Sequence, residues 1–281
     1  MAGISINHYL APPGYPLRSF LDDAVAAGAN GIGIAERTLS DASLPALKAM
    51  LRERELCVTS VNSAGFFLWP DPERAKSQRS TNTRLLEAAA ELAAETLVVI
   101  GGGLHDMGAQ DDRHDLARAR SAFEAGLPAL IEAAGKYGVR LGLEPMHPLR
   151  IFTKGTLNTL AQAAALCDRL PGLGVVLDIF HTWWDPDLEP MLKRLSKRLT
   201  LVQLSGVMHP RHQNALPRRC LLNQGAADVG RVLHVLNQCG YQGRFEFELF
   251  AEDLDGQKVA DVMRSAVAEF ASLSGAQECR Y

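Results

Sequence analysis

The sequence predicts a single (β/α)8 TIM barrel over residues 1–281. Three observations carry this reading. Eight short apolar or β-branched runs alternate with longer Ala- and Leu-rich segments of helical spacing. No Gly/Ser/Pro-rich linker divides the chain. Its 281 residues lie near the ~250 typical of a one-domain α/β barrel.

The elements follow one another in strict order. "GISINHY" (3–9) precedes the helical "PLRSFLDDAVAAG", and "GIGIA" (31–35) precedes "LPALKAMLRERE". "CVTSVN" (57–62) leads to "STNTRLLEAAAELAAE", and "TLVVIGG" (96–102) to "DLARARSAFEAGLPALIEAAGKYG". "VRLGLEP" (139–145) is followed by "TLNTLAQAAALCDRLP", and "GVVLDIF" (174–180) by "DLEPMLKRLSKR". "LTLVQLS" (199–205) comes before "GAADVGRVLHVLNQCG", and "RFEFELF" (244–250) before a last helix, "QKVADVMRSAVAEFASL". Strands this short and apolar suit a parallel sheet covered by helices from outside. Gly28, Gly138 and Gly240 each stand just past a helical run, where a left-handed residue ends a helix. A dinucleotide fold is disfavoured, because "INHYLAPPG" follows the first strand in place of GxGxxG. The "GGG" at 101–103 reads as a tight turn or a close backbone approach.

Composition narrows the function. Hydrophobic residues make up 47% and the net charge is -3, with basic residues scattered, so no nucleic-acid partner is expected. The start "MAGISINHYLAPPGYP" has no charged region before an apolar one, so no signal peptide is expected. No run approaches the ~18 apolar residues of a membrane span. Cys57, Cys167, Cys220, Cys239 and Cys279 are widely spaced without a CxxC pair, which suits free thiols in a reducing cytoplasm.

The chemistry gathers where the strands end. In a barrel all C-terminal strand ends open on one face, and active sites form there. The fifth run ends at Glu144, the sixth at Asp178, the seventh at Gln203 and the eighth at Glu248. Glu246 shares a side of its strand with Glu248 but lies lower, and the second run ends near Glu36. A lone acid at such a place is most often a helix cap or an ion-pair partner. Three acids and an amide converging from four successive strands repel one another unless a cation joins them. Glu144, Asp178, Gln203 and Glu248 are hard oxygen donors suited to one Mg²⁺ or Mn²⁺.

The stretches "LGLEPMHP", "NTLAQAAALCD", "VVLDIFHTWWDPDL", "LVQLSGV" and "GYQGRFEFELF" resemble the xylose isomerase-like barrel superfamily, most strongly over about 139–250. That group holds ketose 3-epimerases, inosose isomerases and dehydratases, 3-dehydroshikimate dehydratases, C-glycoside deglycosidases and, more distantly, endonuclease IV. The resemblance implies one Mn²⁺, Mg²⁺ or Co²⁺ held by Glu144, Asp178, Gln203 and Glu248. Two departures stand out. Ketose epimerases carry His at the position of Gln203, while dehydroshikimate dehydratases often carry Gln, which moves weight toward elimination. Gly206 also replaces the Asp of a usual "SD", and "LNQG" replaces a "PGEG" turn.

The expected activity is a metal-dependent isomerase or epimerase acting on a keto-sugar or cyclitol through an enediolate. The alternative is a lyase, a dehydratase or deglycosidase, using the same enolate chemistry. Glu144 and Glu248 are the expected acid–base pair on opposite faces of the substrate, as the resemblance implies, with His147 as a second candidate base. His181 is expected to donate to a substrate oxygen. Trp183, Trp69 and Asn62 are expected to line the substrate, and Arg219, or its neighbour Arg218, to reach it. The expected partner is a small polyhydroxy ketone, and a homo-oligomer is compatible with the sequence. Endonuclease-type cleavage needs three metals and many His ligands. Only eight His occur, few of them at strand ends. A non-catalytic barrel would lack bound metal.

Overall fold

The computed structural model describes residues 3–108, 116–210, 212 and 215–275. Strands β1 (Ile4–Asn7), β2 (Gly31–Ala35), β3 (Cys57–Gly65), β4 (Thr96–Ile100), β5 (Leu141–Leu143), β6 (Leu173–Asp178), β7 (Leu199–Leu204) and β10 (Phe245–Phe247) close into a parallel barrel. The order around it is β1-β10-β7-β6-β5-β4-β3-β2, and β10 closes onto β1 through the pair Ser5–Glu246. Helices Leu17–Ala27, Leu44–Glu53, Pro72–Glu91, Leu116–Tyr137, Leu160–Arg169, Leu188–Leu195, Val229–Gln238 and Val259–Gly275 alternate with the strands. The predicted (β/α)8 barrel is therefore the observed fold.

The strand period divides the buried side chains into two sets. Leu97, Val99, Leu143, Val175, Leu177, Val202 and Phe247 face outward into the core shared with the helices. Val98, Ile100, Met146, Val176 and Leu201 form a separate apolar cluster. Each fully buried aliphatic side chain contributes about 1.5–3 kcal/mol, so both layers hold the barrel. A second group of buried side chains is polar: Ser5, Asn7, Ser60, Asn62, Gln203 and Glu246.

Helix ends follow the sequence signals. Gly28, Gly138 and Gly240 all have positive φ, at 90°, 66° and 69°. The helix after β3 begins at Pro72 rather than at residue 80, because the Asp71 carboxylate accepts from the Arg74 amide at 2.8 Å. Strand β6 stops at Asp178 rather than continuing to 180. The Asp178 side chain accepts from the Phe180 amide at 2.8 Å and starts the short helix Ile179–Thr182.

One element was not expected. After β7 the chain forms an antiparallel hairpin of β8 (Gly206–Met208) and β9 (Arg218–Cys220), separate from the barrel sheet. It accounts for Gly206. A Cβ there would lie 2.2 Å from the Gln224 carbonyl oxygen and 2.3 Å from that of Leu221. Cys57, Cys167, Cys220 and Cys239 are free thiols, and Cys279 lies outside the described residues. Among the described residues no helix is long and apolar enough to cross a membrane.

Candidate metal centre and active site

The C-terminal end of the barrel brings three ligand-bearing side chains together. Glu144 follows β5, Asp178 ends β6, and His181 lies on the short helix that Asp178 caps. Ligand atoms of the three lie within 4.8 Å of one another, and all three residues are buried. His181 Nε2 is 3.8 Å from Glu144 Oε1 and 3.7 Å from Asp178 Oδ2. This group can hold one divalent cation.

Arg219, on β9, is the fourth member. Its Nη2 is 2.5 Å from Asp178 Oδ2 and 3.3 Å from Glu248 Oε2, and its Nη1 donates to Asp178 Oδ1 at 3.1 Å. The guanidinium carbon lies 4.5 Å from the centre of the Phe180 ring and 5.3 Å from that of Phe250. The hairpin thus delivers a buried cation over the barrel mouth. Arg218, its neighbour, turns away to Asp253 at 3.2 Å and to the Glu252 carbonyl. Alternation along a strand explains why adjacent arginines face different ways.

One positive charge is too little for this cluster. Burial, and then the Asp178 charge, push the Glu144 carboxyl up to about 8, against the pull of Arg219 and Lys154. Glu248 is raised well above the usual carboxylate range, chiefly by burial. Burial also pushes Asp178 upward, but Arg219 and His181 outweigh it and hold that carboxyl low. Glu248 Oε2 and Gln203 Oε1 are buried without a hydrogen-bond partner. Carboxyls that are costly as anions and acceptors that lack donors fit a hard divalent cation.

His181 supports a more specific role. The His147 amide donates to its Nδ1 at 3.2 Å, so in the neutral ring the proton sits on Nε2, facing the two carboxylates. Burial lowers its pKa to about 3, which keeps the ring neutral. As held here, Nε2 is a donor; ligation of an ion by that nitrogen requires the proton to leave.

Gln203, paired in register with Asp178, meets Glu246 on the neighbouring strand. Glu246 accepts from Asn7 Nδ2 at 2.8 Å, Thr59 Oγ1 at 2.5 Å, Ser60 Oγ at 2.8 Å and Gln203 Nε2 at 3.1 Å. That contact fixes the amide with its oxygen free. Asn62 belongs to this network, donating to Ser60 Oγ at 2.7 Å.

The remaining expected residues are more scattered. His147 sits at the rim with its ring edge-on to Trp184, and its Nδ1 accepts from the Leu149 amide at 3.2 Å. Trp184 Nε1 donates to the His181 carbonyl, while Trp183 packs on the core and lines a groove against Arg231 and Val232. Trp69 stacks under Arg74, and Glu36 pairs with Arg84 at the surface. A cavity of about 350 Å³ opens above His181 and Arg219, with Met146, Phe180, Phe250 and Lys154 among its walls. Three neighbours of this cavity went unread in the sequence. Phe180 and Phe250 flank Arg219. Tyr9 stacks on Phe250 at 4.8 Å, and its phenol is raised by burial and then by the charges of Glu248 and Glu144. The position of Tyr9, just beyond the first strand, was the available signal.

A comparison with curated proteins finds no match. Among solved structures, protein SMc04130 from Sinorhizobium meliloti 1021 is 26% identical, with a TM-score of 0.87 over 96% of this chain and 98% of that one. The IolI protein with a binding zinc atom is 19% identical, with a TM-score of 0.81 over 99% and 100%. The 3-keto-D-glucoside 4-epimerase YcjR from E. coli is 20% identical, with a TM-score of 0.75 over 97% and 100%. At such identities the last two speak for the fold. The model of the xylose isomerase-like TIM barrel matches residues 21–270, and the chain belongs to that family.

Proposed function

We propose that this chain is a divalent-metal-dependent isomerase or epimerase of a keto-sugar or cyclitol, working as a single domain. One observation carries the proposal: buried Glu144, Asp178 and His181 converge at the barrel mouth, with more negative charge than Arg219 balances. The solved relatives also include an L-ribulose 3-epimerase and a D-allulose 3-epimerase, which supports the choice of substrate class. Glu144, Asp178, Gln203 through its free oxygen, and Glu248 would hold the ion. A cation there supplies positive charge against an oxyanion developing on the substrate.

The side chains divide the remaining work. Glu144 and Glu248 stand on strands separated in the barrel by β6 and β7, so they approach the cavity from different sides. One removes the α-proton and the other returns a proton on the opposite face. His181 donates through Nε2 to a substrate oxygen, and its own carbonyl is held by Trp184. Arg219 is clamped between aromatic rings, which fixes its direction. The ring of His147 is already engaged with Leu149 and Trp184, and this favours two carboxylates over a one-sided histidine base. A lyase using the same proton abstraction is separated by its products.

The test is solvent-deuterium incorporation at the α-carbon of candidate keto-sugars and cyclitol ketones, with metal content measured in parallel. Glu144→Gln should slow exchange by about 10²–10⁴-fold, and His147→Ala should act more mildly. No exchange with any such ketone in metal-loaded protein would remove the enolisation reading. Loss of exchange in His147→Ala with metal retained would favour the lyase.

A further inference from the structure

The cavity mouth carries charges that the proton-transfer machinery does not use. Arg150, Lys154 and Arg218 line it, against Glu252 and Asp253, which leaves one net positive charge. Arg218 is spent on Asp253. Neither Arg150 nor Lys154 is in an ion pair among the described residues. Lys154 Nζ lies 5.6 Å from the centre of the Phe250 ring, the same ring that backs Arg219, so the two cations flank one wall of the cavity.

The segment bearing them is clamped to the barrel. The Leu104 amide donates to the Ile151 carbonyl at 2.9 Å, and the His105 amide to that of Phe152 at 3.0 Å. Gly103 sits flush beneath it, where a Cβ would lie 2.4 Å from the Phe152 carbonyl oxygen. The Arg150 carbonyl accepts from the amides of Thr153, Lys154 and Gly155, which closes the turn between the two cations. Two unpaired cations on a fixed turn at the rim of an open cavity form a receptor for an oxyanion.

Accepting that this cavity is the substrate site, we propose that the substrate is anionic: a hydroxyketone whose distal end carries a carboxylate or phosphate, received by Lys154 and Arg150. A neutral sugar would leave the net positive charge of the mouth unbalanced.

Three probes separate the possibilities: dihydroxyacetone, dihydroxyacetone phosphate and hydroxypyruvate are small hydroxyketones that end in a neutral, a phosphate and a carboxylate group. Binding to the metal-loaded protein is measured by calorimetry, in wild type and in the double variant Arg150→Ala/Lys154→Ala. One of the two anions should bind at least about tenfold more tightly than dihydroxyacetone, and which one it is identifies the group. In the double variant that ratio should fall to about one to three. Equal affinities for the three probes, failure of both anions to bind, or a preference that survives in the double variant would each overturn the proposal. Deuterium exchange into the same probes reads the enolisation hypothesis separately. Preference without exchange keeps the anion subsite and discards enolisation, and exchange without preference does the reverse.

Discussion

Glu246 and Glu248 lie two residues apart on one strand, on the same side of it, and both are buried. Their surroundings are opposite. Glu246 receives four side-chain donors, from Asn7, Thr59, Ser60 and Gln203. Glu248 faces Arg219 at 3.3 Å, and its Oε2 has no hydrogen-bond partner. A carboxylate surrounded by donors is a structural anchor, because removing it strands every donor. A carboxylate starved of donors keeps its lone pairs available for an ion or a proton. Over one pleat the lumen changes from a closed polar network to an open reactive one.

The largest expected effect comes from removing the cation that joins Asp178 and Glu248 at the mouth. Arg219→Ala leaves Asp178 and Glu248 buried without a counter-ion. It should cost about 3–5 kcal/mol of stability in metal-free protein, measured by denaturant unfolding. Added Mn²⁺ should recover part of that loss. An equal loss with and without Mn²⁺ would mean that the ion and Arg219 do not share these carboxylates.

Next comes the direct contrast of the two glutamates. Glu248→Gln should lose most of its metal, a larger drop than the about 10–100-fold of an outer-shell change. Glu246→Gln should keep stoichiometric metal while losing about 1–3 kcal/mol of stability. Titration with Mn²⁺ and unfolding curves read both, and the reverse pattern would exchange their roles.

A separate, pH-dependent effect concerns His8, another buried group. Its Nδ1 is 2.7 Å from Thr38 Oγ1, while Nε2 has no partner. Burial, and then Arg37, lower its pKa from 6.5 to about 4, so the fold holds the ring neutral. A depressed folded pKa means that the contribution is complete above pH 6.5 and is lost as the pH falls through 4. Between pH 7 and pH 4 His8 should account for about 2–3 kcal/mol of acid destabilisation. The stability gap between wild type and His8→Asn should narrow by that amount; a constant gap would place His8 outside the acid response.

Much of this was legible in the sequence because it rests on local pattern. Eight apolar runs with helical segments between them are direct consequences of a sheet covered on one side, and Gly28, Gly138 and Gly240 mark their helix ends through a positive φ that other residues avoid. Glu144 and Asp178 were legible because an acid ending a buried strand contradicts its surroundings. Asp178 is also the helix cap and ion-pair partner that a lone strand-end acid most often is: it caps the following helix with one oxygen and meets Arg219 with both. The hairpin β8–β9 was not legible. Its strands have three residues each, too few for a period to declare itself, and nine positions of sequence separate Met208 from Arg218. The aromatic clamp of Phe180 and Phe250 was hidden for a related reason, since it joins residues seventy positions apart through a third that neither neighbours in sequence.

The hairpin also bears on how such a protein diversifies. Its two strands pair with each other and with no barrel strand, and they meet the rest of the loop through the Ala226 amide, which donates to the Val207 carbonyl at 2.8 Å. The barrel strands keep their own pairing whatever this appendage contains, but their acids depend on a cation it carries, Arg219. Changes elsewhere in the ribbon leave the reactive floor intact, whereas a change at Arg219 alters the charge balance of that floor.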